Sequence, residues 1–147
     1  MSEFNTPEAL QAAAREFAAT LPDFAVLVLV GELGAGKTTF AQGLAAGMGV
    51  ASEREVASPT YTLIHEYHRG HRSFYHLDLY RVETAAQLAT LGLEDLFLPP
   101  PAGAQKVIAI EWGERVESEL PRPYYRLELS APAADRRRLL ISTQPSI

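Results

Sequence analysis

Ala25-Val26-Leu27-Val28-Leu29-Val30-Gly31-Glu32-Leu33-Gly34-Ala35-Gly36-Lys37-Thr38 is the stretch that decides the fold. The apolar run at its start is short and β-branched, the mark of a strand buried on both faces. Behind it Gly31 to Thr38 spells G-x-x-x-x-G-K-[ST], and Thr39-Phe40-Ala41-Gln42 continues as a helix. Strand, glycine loop and helix stand in the order that phosphate binding needs. Glycines let backbone N–H groups turn inward around a phosphate, Lys37 reaches the β and γ oxygens, and the Thr38 hydroxyl is suited to Mg²⁺.

Outward from this unit the chain punctuates itself. Thr6-Pro7-Glu8 opens a helix over 7–20, Pro22-Asp23 breaks it, and the helix after the glycine loop runs to about Met48, with Gly47 and Gly49 as its end. Tyr61 to His68 and Ser73 to Leu79 read as a hairpin around Arg69-Gly70-His71-Arg72, and Thr84 to Ala89 as a short helix. Val107-Ile108-Ala109-Ile110 is a second buried strand, reached through the rigid loop of Pro99, Pro100 and Pro101. Tyr125 to Leu129 and Arg138 to Ser142 are strands across the turn Ala131 to Asp135. Apolar strands alternating with helices predict an α/β, P-loop NTPase-like three-layer sandwich, with a mixed, mostly parallel sheet flanked by helices. Residues 1–147 are expected to form a single domain.

Composition narrows the chemistry. Of 147 residues, 47% are hydrophobic, enough for a core, and none is cysteine, so any metal is expected to be held by oxygen ligands. A net charge of −5 argues against a charge-driven nucleic-acid binder. No apolar stretch is long enough to span a membrane, and Met1-Ser2-Glu3-Phe4 lacks a basic export signal, so a cytoplasmic location is expected.

A nucleotide-hydrolysing site of this kind also needs acids near the phosphates. Glu111 ends the second buried strand and is assigned to the metal with Thr38. Asp78, inside His76-Leu77-Asp78-Leu79-Tyr80-Arg81, is an acid in an apolar strand. It is assigned to orienting water or sensing the γ-phosphate, with exchanged roles or a salt bridge to Arg81 or Arg72 as the alternatives. Trp112 is expected on the face opposite Glu111, in packing. His65, His68, His71 and His76 read as surface and hairpin residues, and Arg136-Arg137-Arg138 as a solvated strand end.

Gly34-Ala35-Gly36-Lys37-Thr38-Thr39, Ser58-Pro59-Thr60-Tyr61-Thr62-Leu63, His76 to Arg81, Leu91-Gly92-Leu93-Glu94-Asp95 and Ile110-Glu111-Trp112, in this order, closely resemble the TsaE (YjeE) family. The resemblance covers nearly the whole chain. It implies an ATPase with ATP and Mg²⁺, an accessory component of the threonylcarbamoyladenosine modification of tRNA. Its partners would be TsaD and TsaB homologues, with tRNA met only through that complex and neither membrane nor DNA involved.

Carried over by position, the resemblance gives Gly34, Ala35, Gly36, Lys37, Thr38 and Thr39 as the nucleotide loop and Thr38 with Glu111 as the Mg²⁺ ligands. Asp78 matches a functionally important acid, and Ser58-Pro59-Thr60-Tyr61 a switch-like loop. Thr6 matches an adenine contact or is simply a helix cap. The family's Gly-Arg before the last strand stands here as Asp135-Arg136, so Arg136 is taken as the arginine contact. An arginine finger would come from Arg81 or from a partner. A small-molecule kinase and a nucleotide-gated binding module without essential hydrolysis are the competing functions.

Overall fold

The computed structural model describes residues 2–32, 34–56 and 63–144. The segment Ser58 to Tyr61, read above as switch-like, lies outside them.

Strand β1 (Ser2–Phe4) leads into helix α1 (Pro7–Ala18), then β2 (Phe24–Val30) and α2 (Lys37–Met48). The hairpin β3 (Ile64–Arg69) and β4 (Arg72–Asp78) follows, then α3 (Ala85–Ala89), β5 (Gln105–Glu111), a 3-10 segment at Glu114–Glu119, and the hairpin β6 (Tyr124–Ala133) and β7 (Arg136–Gln144). The seven strands form one sheet in the order β1-β7-β6-β2-β5-β4-β3. The central pairings β6-β2, β2-β5 and β5-β4 are parallel, and the outer three are antiparallel. The sheet is therefore mixed, with a parallel centre rather than a parallel majority of pairings.

Strand parity sorts the core into two layers. Ala25, Leu27, Leu29, Val107, Ala109 and Phe74 face α1 and α2, whereas Val26, Val28, Ile108, Ile110 and Leu77 face Leu88 of α3 and Val116 of the 3-10 segment. The residues that continue the first parity past Ala109 and His76 are Glu111 and Asp78. Both acids therefore emerge on the α2 side, at the carboxyl ends of the parallel strands.

Three expectations change at element boundaries. Helix α2 runs through Gly47 and ends at Gly49, which takes φ 73°. Gly43 and Gly47 are instead where α1 and α2 touch: a Cβ on Gly43 would lie 2.4 Å from the Gln11 carbonyl oxygen and 2.6 Å from the Ala14 Cβ. Helix α1 stops at Ala18, one turn after Arg15 and before Pro22. The three-residue β1, too short to show a periodicity, was not expected; it closes one sheet edge by pairing Phe4 with Arg137.

Candidate functional site

The amino end of α2 is built from the glycine loop. Gly36 is its N-cap at φ 111°, a left-handed conformation that only glycine adopts without strain, and it supplies no side-chain cap. The first N–H groups of the helix are thus left without a side-chain partner, facing a cavity of about 420 Å³. Gly34, Gly36, Lys37, Thr38 and Thr39 line that cavity. Ala35 does not; it is buried under the loop, 1% exposed, in the α1–α2 core.

Against the loop stand the strand-end acids. Asp78 and Glu111 are register partners on β4 and β5, and both are buried. Thr38 Oγ1 lies 3.3 Å from Glu111 Oε2, as donor to the carboxylate. Asp78 Oδ1 accepts the Tyr80 N–H at 2.8 Å, a turn bond that holds its carboxylate at the end of the strand. No ion pair joins Asp78 to Arg72 or Arg81 among the described residues; Arg72 donates instead to the Met48 carbonyl.

Lys37 is folded back. Its Nζ donates to the Gly31 carbonyl at 2.8 Å and sits 3.5 Å from the centre of the Trp112 ring. Burial lowers its pKa from the usual 10.5, while Glu111, Glu114, Asp78 and Glu32 pull the other way. The ammonium is the local counter-charge for the two buried acids.

Two expectations about neighbouring residues are overturned. Trp112 does not point away from Glu111: it takes φ 61°, which turns the strand end back and puts the indole in the same cavity, edge-on to Tyr80. Strand alternation fails there because the strand ends at Glu111. His76 is no surface residue. It is fully buried, and its Nε2 is 2.5 Å from Glu111 Oε2. In the sheet β4 is flanked by β5 and β3, and that double pairing lies beyond what a hairpin pattern specifies.

The far wall comes from α1, β1 and the β6–β7 turn. Thr6 both caps α1, accepting the Ala9 N–H at 3.1 Å, and lines the cavity beside Phe4, Asn5 and Leu10. Arg136 does not line it; that side chain reaches Glu3 at 3.9 Å on the outside of the hairpin. Arg137 lines it instead, with its guanidinium donating to the carbonyls of Ala133, Ala134 and Arg136. The register moves by one because β7 begins at Arg136 and successive side chains alternate faces. Phe4 and Asn5 escaped the sequence reading; their only signal was nearness to Thr6.

A divalent cation fits this donor set. Thr38 and Glu111 offer hard oxygens, and no group of three or more acids or histidines able to hold a metal occurs among the described residues. The protein alone would leave most of the coordination shell to waters and phosphates, the arrangement magnesium favours.

The family profile described as threonylcarbamoyl adenosine biosynthesis protein TsaE matches residues 4–139. The chain belongs to the TsaE family. Relatives named tRNA threonylcarbamoyladenosine biosynthesis protein TsaE include one from Bacillus subtilis, 38% identical over 90% of this chain and 78% of its own. Another, from Treponema pallidum, is 41% identical over 83% of this chain and 84% of its own. The crystal structure of Bacillus subtilis YdiB superposes with a TM-score of 0.74 at 31% identity, covering 97% of this TsaE-family chain and 84% of that one. The TsaE family serves threonylcarbamoyladenosine biosynthesis. No helix among the described residues is long and apolar enough to cross a membrane.

Proposed function

We propose that this chain binds ATP with magnesium in the cavity, hydrolyses it to ADP and phosphate, and so acts as an accessory ATPase with TsaB and TsaD homologues in tRNA threonylcarbamoyladenosine modification. The fold is on this reading a P-loop NTPase. The observation that carries it is the meeting, in one cavity, of Lys37 and Thr38 on the glycine loop with Glu111 at a neighbouring strand end.

The triphosphate lies along the loop, where uncapped N–H groups and the helix dipole favour negative charge. Lys37 leaves the Gly31 carbonyl and the Trp112 ring and moves onto the β and γ oxygens. Thr38 and Glu111 would hold the magnesium, which supplies positive charge to the β and γ phosphates. Asp78 keeps Oδ1 on the Tyr80 N–H, while its Oδ2 makes no hydrogen bond to a described residue and is available to orient the attacking water. The base end falls among Phe4, Asn5, Thr6 and Arg137.

Among the described residues Arg137 is the one arginine lining the cavity, and Arg81 is exposed outside it. Arg137 stands at the base end on this reading, so the transition-state arginine is assigned to a partner, and hydrolysis is expected to be slow for the chain alone. The test is a reconstituted tRNA modification assay comparing ATP with a non-hydrolysable analogue, run with and without this chain. Multiple turnover requiring both chain and hydrolysis is expected. Turnover with the analogue would leave a nucleotide-gated binding module, and a phosphorylated product other than inorganic phosphate would make the chain a kinase.

A further inference from the structure

Beside the acid that completes the loop lies a side chain for which phosphate chemistry has no direct use. His76 has no exposed surface, and its ring stands against Phe74 at 6.2 Å between centroids with 27° between planes. Its register partner on β5 is Ala109, whose methyl leaves room for the imidazole to lean along the sheet toward Glu111, two residues on. A carboxylate oxygen accepts, so Nε2 carries the hydrogen in the 2.5 Å bond to Glu111 Oε2. Nδ1 is buried with no hydrogen-bond partner among the described residues. An orphaned buried polar atom destabilises the fold, and a leucine would fill this apolar place without that cost. The ring is kept for its Nε2 bond.

We infer that His76 is a positioning residue for Glu111: its Nε2–H fixes Oε2, which also receives the Thr38 hydroxyl, and thereby sets the carboxylate for a divalent cation. The bond has a steric consequence. With Oε2 held by His76 and Thr38, Glu111 cannot rotate freely toward Lys37, the ammonium on which its charge acts most strongly among the neighbouring acids. His76 thus keeps the metal-ligating acid from collapsing onto the phosphate-binding lysine. Outer partners of metal ligands typically tune metal affinity by about 10–100-fold.

This inference rests on the reading of the cavity as a magnesium–nucleotide site. The test is calorimetry of ATP binding to the full chain, at a series of magnesium concentrations and in excess chelator, with thermal unfolding as the check on folding. His76→Leu is expected to raise the magnesium concentration needed for half-maximal enhancement about tenfold or more, and to leave chelator-only ATP affinity unchanged. His76→Gln, whose amide reaches as far as Nε2, restores the magnesium response to within about threefold, whereas the shorter His76→Asn does not. If His76→Leu fails to fold, the Gln and Asn pair decides. A magnesium response that is the same in all folded variants, or a loss of equal size with and without magnesium, overturns the assignment. Wild-type chain that binds no ATP under any condition defeats the underlying site reading instead.

Discussion

The two walls that face each other across the cavity are made in opposite ways. The phosphate wall of the proposed site is one continuous segment, Gly34 to Thr39, whose only long polar side chain is Lys37 and whose backbone, on that proposal, does much of the binding. The acid wall is assembled from side chains on β4 and β5, with Asp78 and Glu111 side by side only because the strands pair in that register. The first depends on local sequence and glycine conformation; the second depends on a tertiary pairing that no local pattern encodes. Binding should therefore belong to the first wall and chemistry to the second.

That division can be broken by substitution. Lys37→Ala is expected to weaken ATP binding by about 100-fold or more in calorimetry, since two or more charge-assisted hydrogen bonds go with it. The wild-type pH profile carries the same signature. Because burial lowers the Lys37 pKa, its ammonium is fully present below that lowered value, and affinity falls as pH rises through it, short of the usual 10.5. A bound triphosphate raises the pKa again, so binding in that window takes up a proton, measurable as a heat that varies with buffer. Folding stability moves the other way: the unfolded chain holds this proton to higher pH, so the contribution of Lys37 to stability rises with pH there. Binding unchanged by Lys37→Ala would end the distinction between the walls.

On the acid wall, Glu111→Gln is expected to cut hydrolysis about 100-fold, and Asp78→Asn about 10-fold, both with ATP affinity in chelator kept within about threefold. Asp78→Asn keeps an oxygen for the Tyr80 N–H, so its unfolding temperature should stay at the wild-type value. A larger loss from Asp78→Asn than from Glu111→Gln would exchange their roles. The smallest effect sharpens the base end: Arg137→Ala should raise the ATP dissociation constant about 3–10-fold and Arg136→Ala less than twofold. The reverse order would restore Arg136 as the contact.

The same contrast explains what was legible in the sequence. The glycine loop, β2, α2, the hairpin and the strand ending at Glu111 follow from motif, hydrophobic runs and turn residues, all local signals. His76 was misread because burial of β4 is decided by the strands on either side of it. Trp112 was misread because alternation was carried one residue past the end of the strand, into a positive φ. Arg136 is the choice by position, standing where the family's Gly-Arg falls, and a run of three arginines carries no register of its own to check that choice. The register comes from pairing with β6 across the turn and with β1, whose three residues give no periodic signal.

Gly43 and Gly47 let α1 and α2 lie backbone against backbone, and α1 carries Thr6 and Leu10 while α2 carries Lys37 and Thr38. On the proposed reading, the span from sugar-and-base end to triphosphate end is consequently gauged by two interlocked helices, like the jaws of a caliper with its screw tightened. A nucleotide is, on that reading, measured against a fixed backbone length, and the motion that accompanies its binding is one of side chains, Lys37 first among them.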